Sequence, residues 1–438
     1  MLEIEKLLIE VNAIREKYEY IIRITGEKFN VFEILGLQTS EVRLHSSFIA
    51  ELLDTKGSHG QGDKFLLLFI EQLKNPNQNS DESEKNQIII TEFDYSSSRS
   101  HVEYFTSKIS ENGENGGRID ILVEDSKKKH IIIENKIYAL DQPSQLKRYK
   151  NFDKNAILLY LNLIGDKPQK DSYIDLEINK DFHIISYKEH ILPWLSNCLK
   201  EATSLPSIRE TIHQYINLIK KLTNQSTYQT MKEDIVTLIT KNSGNLQNAK
   251  EVANNFDYAK AKILWNFWNE LEKALIECQI ELEKITETVN EEKTLNCFKS
   301  NFNERSIFFG LYSKEVYREG DIVIRWGCEL GLNINVGFII WEKGKKGIAV
   351  NSNFTKSTQI TKLIYDCDGK YKSHKHFLGI QYTEPQLNFD EFNSEAIFNL
   401  ADKDKLKQTV QKIAEKAKKD IQFFEENLKR YIASDIEN

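Results

Sequence analysis

The alternation of hydrophobic and polar positions predicts helices first and then a series of short strands. Apolar residues recur at helical spacing over residues 1–24, 39–54 and 64–73. Six short apolar runs follow, and a helical pattern over residues 142–152 separates the fourth run from the fifth. The runs cover residues 87–93, 101–109, 118–124, 130–136, 155–164 and 182–191. Several strands with an intervening helix indicate a mixed α/β sheet flanked by helices.

Beyond residue 191 the pattern divides the chain into further parts. Two helical stretches lie between residues 192 and 222, and helical spacing resumes from residue 231 to about Glu291. We interpret Trp265 and Trp268 there as bundle core rather than as a platform for stacked bases. A β-rich region with hairpin turns at 318–321 and 342–347 precedes a charged helix at about 402–432. The predicted parts are an α/β domain over 1–225, a helical connector over 226–300 and an α+β domain over 301–438.

The composition is that of a soluble globular protein and restricts the classes of function. Hydrophobic residues make up 40% of the 438 residues, charged residues make up 29%, and the net charge is −7. This charge argues against a uniformly basic nucleic-acid-binding protein, although a basic groove beside an acidic metal site stays compatible with it. The 5 cysteines show no zinc-binding spacing, and no apolar run reaches the ~18–20 residues that cross a bilayer. We therefore expect a cytoplasmic protein with reduced thiols, no signal peptide and no membrane partner.

Three charged residues lie at the ends of apolar strands. Asp120 belongs to the run over 118–124, while Glu134 and Lys136 are two residues apart on the next run and leave the same sheet face. A tight polar turn over 124–129 makes these two strands a hairpin. Hydrolysis of a phosphodiester bond needs a cation that neutralises phosphate charge and a water that is activated near neutral pH. Carboxylates on a rigid sheet can hold Mg²⁺ or Mn²⁺, and a nearby ammonium can orient the water.

A structural interpretation of the same residues stays open. Asp120 and Glu134 can also pair with Arg118 and Lys136 as an ion-pair cluster that has no catalytic role. An acidic residue two positions before a lysine carries little weight by itself, since the same spacing recurs at residues 368–370. The informative feature is the whole arrangement of strand, hairpin, strand and helix.

Two predicted helices add candidates on either side of this hairpin. Glu41 and His45 are four residues apart and share one helix face, and Glu51 lies on a similar face ten residues further on. Gln145 and Tyr149 are also four residues apart, on the helix that follows the second strand. Both can contact a substrate, or both can form the stripe of that helix that faces the sheet.

The segment RIDILV, followed by IIIENKIYALDQPSQLKRY, resembles the PD-(D/E)XK nuclease superfamily. The upstream segment is similar to a block found in a bacterial branch of that superfamily. Its matching residues are Glu41, His45, Ser46, Phe48, Leu52, Leu53, Asp54, Gly57, His59, Gly60 and Gly62. The resemblance covers roughly residues 30–165. It implies a restriction-endonuclease-like fold, with a mixed β-sheet core flanked by helices, before the helical region and the β-rich C-terminal domain.

The resemblance also implies roles for individual residues. Asp120 and Glu134 would be metal ligands, and Lys136 would be the catalytic lysine. A glutamate on the preceding helix would complete the metal ligands; Glu41 is our choice, and Glu51 is the alternative.

The helix after the second strand carries the Gln-x-x-x-Tyr motif of RecB-like nucleases, as Gln145 and Tyr149. In those nucleases the two residues help to position substrate. Further candidate substrate contacts are Gln142, Arg118 and His45. Ile119 stands where the superfamily carries a proline, which leaves the local backbone geometry open.

The function implied by the resemblance is a Mg²⁺- or Mn²⁺-dependent nuclease that acts on DNA, in bacterial defence against phage or mobile DNA. The second half of the chain would serve recognition, regulation or the formation of a homo-oligomer through the helical connector or the C-terminal domain. One alternative is a catalytically inactive nucleic-acid-binding protein of the same fold. Another is an RNase or toxin-like nuclease that needs an activator, since no motif selects RNA over DNA.

Overall fold

The computed structural model describes residues 2–74, 88, 93–283, 291–299, 310–342, 356–374 and 377–433. The chain divides into two compact units, Met1–Leu246 and Gln247–Asn438. Three predicted features lie outside the described residues: most of the strand at 87–93, the first residues of the β-rich region at 306–309, and the hairpin turn over 343–347. No helix in the described part of the chain combines the length and the apolar character that a membrane span requires.

The first unit contains eight labelled helices and one sheet within its described residues. Its helices are α1 (Leu2–Thr25), α2 (Val31–Ile34), α3 (Ser47–Leu53), α4 (Lys64–Lys74), α5 (Gln145–Phe152), α6 (Leu192–Glu201), α7 (Pro206–Leu222) and α8 (Thr227–Thr240). Its strands are β1 (Arg99–Ser107), β2 (Gly117–Glu124), β3 (His130–Asn135), β4 (Ile157–Asn162) and β5 (His183–Ser186). A π-helical turn, Glu41–Ser46, leads directly into α3.

The sheet of the first unit is mixed and has the spatial order β1-β2-β3-β4-β5. The pairs β1–β2 and β2–β3 are antiparallel, whereas β3–β4 and β4–β5 are parallel. Helix α5 provides the connection from β3 to β4 that a parallel pair requires. This arrangement confirms the predicted mixed sheet flanked by helices.

The apolar run over 182–191 is only half strand. β5 ends at Ser186, whose hydroxyl accepts a hydrogen bond from the Glu189 backbone N–H and so caps the helical turn that follows. The strand therefore ends at Ser186. Its hydroxyl satisfies the Glu189 backbone N–H as a helix cap, so that N–H does not pair with a neighbouring strand.

Side chains alternate between the two faces of this sheet, and the alternation decides which face carries Asp120 and Glu134. Ile121 and Ile133 pack into the core beneath the helices α3, α4, α6 and α7. Leu122 and Ile132 face the opposite side and pack against Tyr149 of α5. Because successive strand residues point to opposite faces, Asp120 and Glu134 belong to the face that α5 covers.

Gly116 fixes the turn that leads into β2. Its φ is 85°, in the left-handed region, and a Cβ at this position would lie 2.2 Å from the Lys108 carbonyl oxygen. A side chain here would therefore force the backbone apart. The glycine lets the chain turn back into β2 only four residues before Asp120.

The second unit is built on an antiparallel sheet with the order β6-β7-β8-β10-β9. Its strands are β6 (Gly310–Glu319), β7 (Ile322–Leu330), β8 (Ile334–Glu342), β9 (Lys372–His374) and β10 (Phe377–Tyr382). Its helices are α9 (Ser243–Glu277), whose first four residues belong to the first unit, α10 (Glu291–Lys299), α11 (Ser357–Cys367), α12 (Glu395–Phe398) and α13 (Lys403–Ala433). One face of the sheet packs on α13, where Phe338 stacks on Phe424 with ring centroids 5.0 Å apart. Of the two tryptophans predicted as core, Trp268 of α9 is buried in this core, whereas Trp265 is only half-buried and lies outside it.

Candidate functional site

Asp120 and Glu134 face each other on neighbouring strands. The β2–β3 ladder pairs Ile121 with Ile133, so one further step of the same register sets Asp120 opposite Glu134. The Asn135 backbone N–H donates a 2.8 Å hydrogen bond to Asp120 Oδ2, which ties the carboxylate to the end of β3. The strand pairing alone therefore brings two carboxylates to one place on the sheet.

The Glu134 carboxylate is buried without the hydrogen bonds that a buried charge normally has. Its side chain is 1% exposed, and neither oxygen has a hydrogen-bond partner of good geometry among the described residues. Lys136 Nζ lies 2.9 Å from Glu134 Oε1 and forms an ion pair with it. A buried charge with so few partners is costly, which marks this position as one that packing alone would not select.

Both carboxyl groups are shifted towards the protonated form. Burial and the neighbouring Glu134 carboxylate raise the pKa of Asp120 well above its usual range. Burial also raises the pKa of Glu134, against the opposing effect of the Lys136 ammonium. Two carboxylates that face each other in a poorly solvated place repel one another, and a bound cation would relieve that repulsion.

Lys136 keeps its positive charge although it is only 8% exposed. Burial alone would lower the pKa of Lys136, but the adjacent Glu134 and Asp120 carboxylates outweigh this effect and raise the pKa above its ordinary value. The Nζ atom also lies 3.4 Å from the Leu140 carbonyl oxygen. The structure therefore holds a fixed ammonium beside the two carboxylates.

The carboxylates of the site offer a small set of ligands to a divalent cation. Among the described residues, no group of three or more His, Cys, Asp or Glu side chains is placed to hold a metal ion. Mg²⁺, however, keeps several waters and is often bound by one or two carboxylates together with substrate phosphates. Asp120 and Glu134 meet that smaller requirement; Glu134 Oε2 has no hydrogen-bond partner of good geometry among the described residues, and Oε1 forms the ion pair with Lys136.

Glu41 contacts the segment that directly follows Lys136. Its Oε1 atom accepts hydrogen bonds from three successive backbone N–H groups, those of Ile137 at 2.6 Å and of Tyr138 and Ala139 at 3.0 Å each. Glu41 therefore fixes the chain beyond the catalytic candidates and does not join Asp120 and Glu134 in a three-carboxylate set. The π-helical turn Glu41–Ser46 brings its side chain to this position.

Glu51, the alternative to Glu41, is used elsewhere. Its Oε1 atom accepts hydrogen bonds from the backbone N–H and the hydroxyl of Ser58, in the loop after α3. The structure therefore separates the two glutamates, and it is Glu41 that reaches the candidate site.

The Gln-x-x-x-Tyr pair lies beneath the carboxylates and is largely buried. The Tyr149 hydroxyl donates a 2.5 Å hydrogen bond to the Arg118 carbonyl oxygen and accepts one of 3.2 Å from Gln145 Nε2. Gln145 Oε1 in turn accepts the Gln142 backbone N–H at 3.2 Å. This chain of hydrogen bonds links α5 to the residue two positions before Asp120, so the motif supports the strand that carries the carboxylate.

The remaining substrate candidates differ in how accessible they are. The Arg118 side chain is exposed and lies over the Phe105 ring, 5.8 Å from its centroid. Gln142 is also exposed, but its Oε1 atom accepts a 3.0 Å hydrogen bond from the buried Arg148 guanidinium. Arg118 is therefore the candidate whose charge is most available to a phosphate.

His45 does not reach this site. Its ring is fully buried, with Nδ1 2.9 Å from the Tyr215 hydroxyl and Nε2 3.1 Å from the Gln38 carbonyl oxygen. Burial lowers the pKa of His45 to about 4, so the ring is neutral at pH 7. A ring with both nitrogens engaged in the core does not fit the substrate contact that the sequence suggested. His59 is likewise buried, with Nε2 2.9 Å from the Asp54 carbonyl oxygen.

Two residues of the site were not anticipated from the sequence. Asn135 is 1% exposed, and its side-chain amide bonds Ser46 Oγ at 3.0 Å and the Tyr187 hydroxyl at 2.8 Å, while its backbone N–H holds Asp120. Because side chains alternate along a strand, Asn135 points to the face opposite that of Glu134. The sequence pattern could therefore have indicated that Asn135 faces the helices on the other side of the sheet.

The second is Glu103 of β1. The β1–β2 register passes from Val102 opposite Ile121 to Tyr104 opposite Ile119, which sets Glu103 opposite Asp120. Its φ of 53° is unusual for a residue inside a strand, and its charge adds to the rise in the pKa of Asp120. Nothing in the local sequence marks this conformation.

Comparison with known proteins identifies a protein family to which this part of the chain is similar. Residues 29–217 match the family model described as the PD-(D/E)XK nuclease superfamily. No curated protein and no solved structure gives a significant match to the chain. The matched residues include the whole mixed sheet, the facing pair Asp120 and Glu134, Lys136 and the Glu41 contact. Residues 29–217 of the chain are therefore similar to the PD-(D/E)XK nuclease superfamily.

Proposed function

We propose that this protein is a metal-dependent nuclease whose catalytic residues are Asp120, Glu134 and Lys136. The observation that carries the proposal is the buried Glu134 carboxylate, which lacks hydrogen bonds of good geometry, faces Asp120 and forms an ion pair with Lys136. A protein gains nothing in stability from placing two such carboxylates together, so the arrangement is best explained by a reaction. The match of residues 29–217 to the nuclease superfamily model supports a nuclease in particular.

Asp120 and Glu134 would hold a divalent cation, for which we propose Mg²⁺ or Mn²⁺. When bound, the cation would neutralise charge on the phosphate and lower the pKa of a bound water. Lys136 stays protonated at 2.9 Å from Glu134, so it can donate a hydrogen bond to the attacking water or to a phosphate oxygen. Glu41 would act as a positioning residue, because its contacts are to the backbone that follows Lys136.

For the substrate we propose a nucleic acid, and DNA in particular. The exposed Arg118 guanidinium lies two residues before Asp120 on the same strand, so it can contact a phosphate next to the scissile one. DNA as the substrate and a role in defence against phage or mobile DNA follow from the resemblance of the sequence motifs, and both stay proposals. A catalytically inactive protein would use the same surface to bind without cleaving.

The test is a cleavage assay on supercoiled, linear and single-stranded DNA and on RNA, each with Mg²⁺, Mn²⁺ or EDTA. We expect cleavage of DNA that EDTA abolishes and that Lys136→Met reduces strongly. Lys154→Met is the matched control, since Lys154 is exposed on the same unit, and it should cleave at the wild-type rate. Cleavage in EDTA, or equal cleavage by both lysine variants, would contradict the proposed site. Binding of every DNA without cleavage would favour the inactive protein.

A further inference from the structure

The segment over residues 136–141, which follows β3, forms neither helix nor strand but is anchored along its length. Three successive backbone N–H groups within it donate to Glu41. Its last residue, Asp141, accepts hydrogen bonds from the Tyr160 hydroxyl at 2.9 Å and from the Gln169 backbone N–H at 2.7 Å. A backbone with this many anchors has little conformational freedom, so the positions from which its side chains project are fixed before any ligand binds.

Two large apolar side chains of this segment project into solvent. Tyr138 is 66% exposed and Leu140 is 78% exposed. Among the described residues of the first unit, neither side chain packs into a hydrophobic cluster. Single exposed apolar side chains are common and carry little information. Two of them on one anchored segment, however, indicate a surface that is prepared for contact.

The segment lies directly beside the proposed catalytic residues. Lys136 Nζ is 2.9 Å from Glu134 Oε1 and 3.4 Å from the Leu140 carbonyl oxygen, so one ammonium contacts both the site and the segment. Tyr138 lies two residues after Lys136. A nucleic acid whose phosphate is held at the carboxylates therefore has its neighbouring nucleotides beside Tyr138 and Leu140.

A second exposed aromatic ring lies on the strand that pairs with the other side of β2. Phe105 of β1 is 56% exposed and is paired in register with Arg118, whose guanidinium lies 5.8 Å from the centroid of the Phe105 ring. Arg118 lies two residues before Asp120 on β2. The carboxylates thus have exposed rings on the elements to either side and a guanidinium close by, and proteins that bind single-stranded nucleic acid combine basic groups with aromatic rings in this way.

Exposed rings distinguish single strands from duplexes, whereas a phosphate contact does not. In a duplex the faces of each base are covered by its stacked neighbours, so an aromatic side chain reaches a base face only where the bases are unstacked. The phosphates that Arg118 can contact are present in both forms. Tyr138 and Leu140 are therefore the residues that can make the site selective.

We propose that the segment over residues 136–141 makes this protein selective for single-stranded DNA over duplex DNA. Tyr138 stacks on an unpaired base next to the scissile phosphate, and Leu140 packs beside that base. The inference rests on the proposed nuclease function and deepens it, because it names the form of DNA that the same site accepts. Tyr138 is a specificity-determining residue and has no part in the chemical step.

The test measures binding apart from cleavage, in full-length protein that carries Glu134→Gln, with EDTA present. This substitution removes one carboxylate that would repel the phosphate when no cation is bound, and it leaves the segment intact. Fluorescence anisotropy gives the affinity for a labelled single strand and for the duplex formed with its complement. We expect the single strand to bind at least about fivefold more tightly, which is the lower end of the effect of stacking one base.

Variants in this background make the result specific to the Tyr138 ring. Tyr138→Ala should weaken binding of the single strand at least about fivefold and leave binding of the duplex unchanged, while Tyr138→Phe keeps the ring and should bind like the parent protein. Tyr228→Ala is the matched control, since Tyr228 is an exposed tyrosine (54%) of α8 in the same unit, and it should also bind like the parent. Circular dichroism shows that each variant is folded.

The outcomes separate this inference from the nuclease function. Cleavage of DNA by the wild type with Mg²⁺ or Mn²⁺ tests the nuclease, and the binding assay tests the selectivity. Equal affinity of Tyr138→Ala and the parent for the single strand would overturn the inference and leave the segment as a surface for a protein partner. Tighter binding of the duplex, or no binding of either DNA, would overturn it as well.

Discussion

Replacement of Glu41 by alanine separates a positioning role from a metal-ligand role. The substitution removes the single acceptor of the Ile137, Tyr138 and Ala139 backbone N–H groups. Ile137 is 6% exposed, so its N–H loses a charge-assisted bond worth about 1.5–3 kcal/mol and gains little from water. Tyr138 is 66% exposed, and the two outer N–H groups can be hydrated at a cost of about 0.5 kcal/mol each. The expected loss of stability is therefore about 2.5–4 kcal/mol.

Glu41→Gln gives the contrast, because its amide oxygen can still accept these hydrogen bonds but carries no charge. A positioning role predicts that Glu41→Gln loses about half as much stability as Glu41→Ala, since neutral bonds are roughly half as strong. It also predicts that Glu41→Gln keeps most of the nuclease activity. Urea denaturation measures the stability, and hydrogen exchange at residues 137–139 reports directly on the contact.

Glu51→Gln is the matched control, since Glu51 bonds Ser58 and not the segment after Lys136. It should leave exchange at residues 137–139 unchanged. Full stability in Glu41→Ala would refute the contact. Wild-type stability together with complete loss of activity in Glu41→Gln would show that Glu41 acts as a metal ligand.

Three further predictions concern the same unit. Tyr149→Phe removes the hydrogen bond to the Arg118 carbonyl oxygen and should lower the free energy of unfolding by about 1 kcal/mol; an unchanged melting temperature would count against this link. The pKa of His45 falls from 6.5 to about 4 on folding, so between these values only the unfolded chain binds the proton and stability rises with pH. The unfolding free energy at pH 7 should exceed that at pH 5 by about 2 kcal/mol more in the wild type than in His45→Gln, and equal differences would contradict the assignment. Saturating Mg²⁺ at 100 times its dissociation constant should stabilise the wild type by about 2.7 kcal/mol but not Asp120→Asn. The affinity of the wild type for Mg²⁺ should rise with pH, because Asp120 and Glu134 have raised pKa values and must lose their protons before they bind the cation. Calorimetric titration at two pH values measures this change.

Local periodicity predicted the part of the site that lies on consecutive strands. Alternation put Glu134 and Lys136 on one face of their strand, and the predicted hairpin paired that strand with the one that carries Asp120. In the structure, one further step of the β2–β3 register sets Asp120 opposite Glu134. Their chemical roles stay predictions. Period-two patterning works here because the side-chain direction in a strand depends only on position within that strand.

Contacts between distant parts of the chain could not be predicted in this way. Glu41 bonds residues 96 to 98 positions later, and His45 packs against Tyr215, which is 170 positions later. Both pairs of contacts depend on how the helices pack on the sheet. A helix face shared by Glu41 and His45 says nothing about which of the two reaches the strand ends and which enters the core.

The second unit shows a different limit. Its strands β7 and β8 are apolar enough to be predicted, whereas β9 and β10 were not anticipated. β10 has Gly379 inside it, where a Cβ would lie 2.4 Å from an Ile364 side-chain carbon. Such a glycine weakens the strand pattern in the sequence while it permits close packing of α11 on the sheet.

The central claim is that the facing carboxylates Asp120 and Glu134 hold the cation that phosphodiester cleavage requires. Its most direct test is the initial rate of DNA cleavage as a function of Mg²⁺ concentration, for the wild type and for Glu134→Gln, with circular dichroism to show that both are folded. The account predicts that the wild-type rate rises with Mg²⁺ and saturates, and that Glu134→Gln is slower by about 100-fold or more at every concentration. Cleavage by folded Glu134→Gln at the wild-type rate, with the same dependence on Mg²⁺, would contradict it.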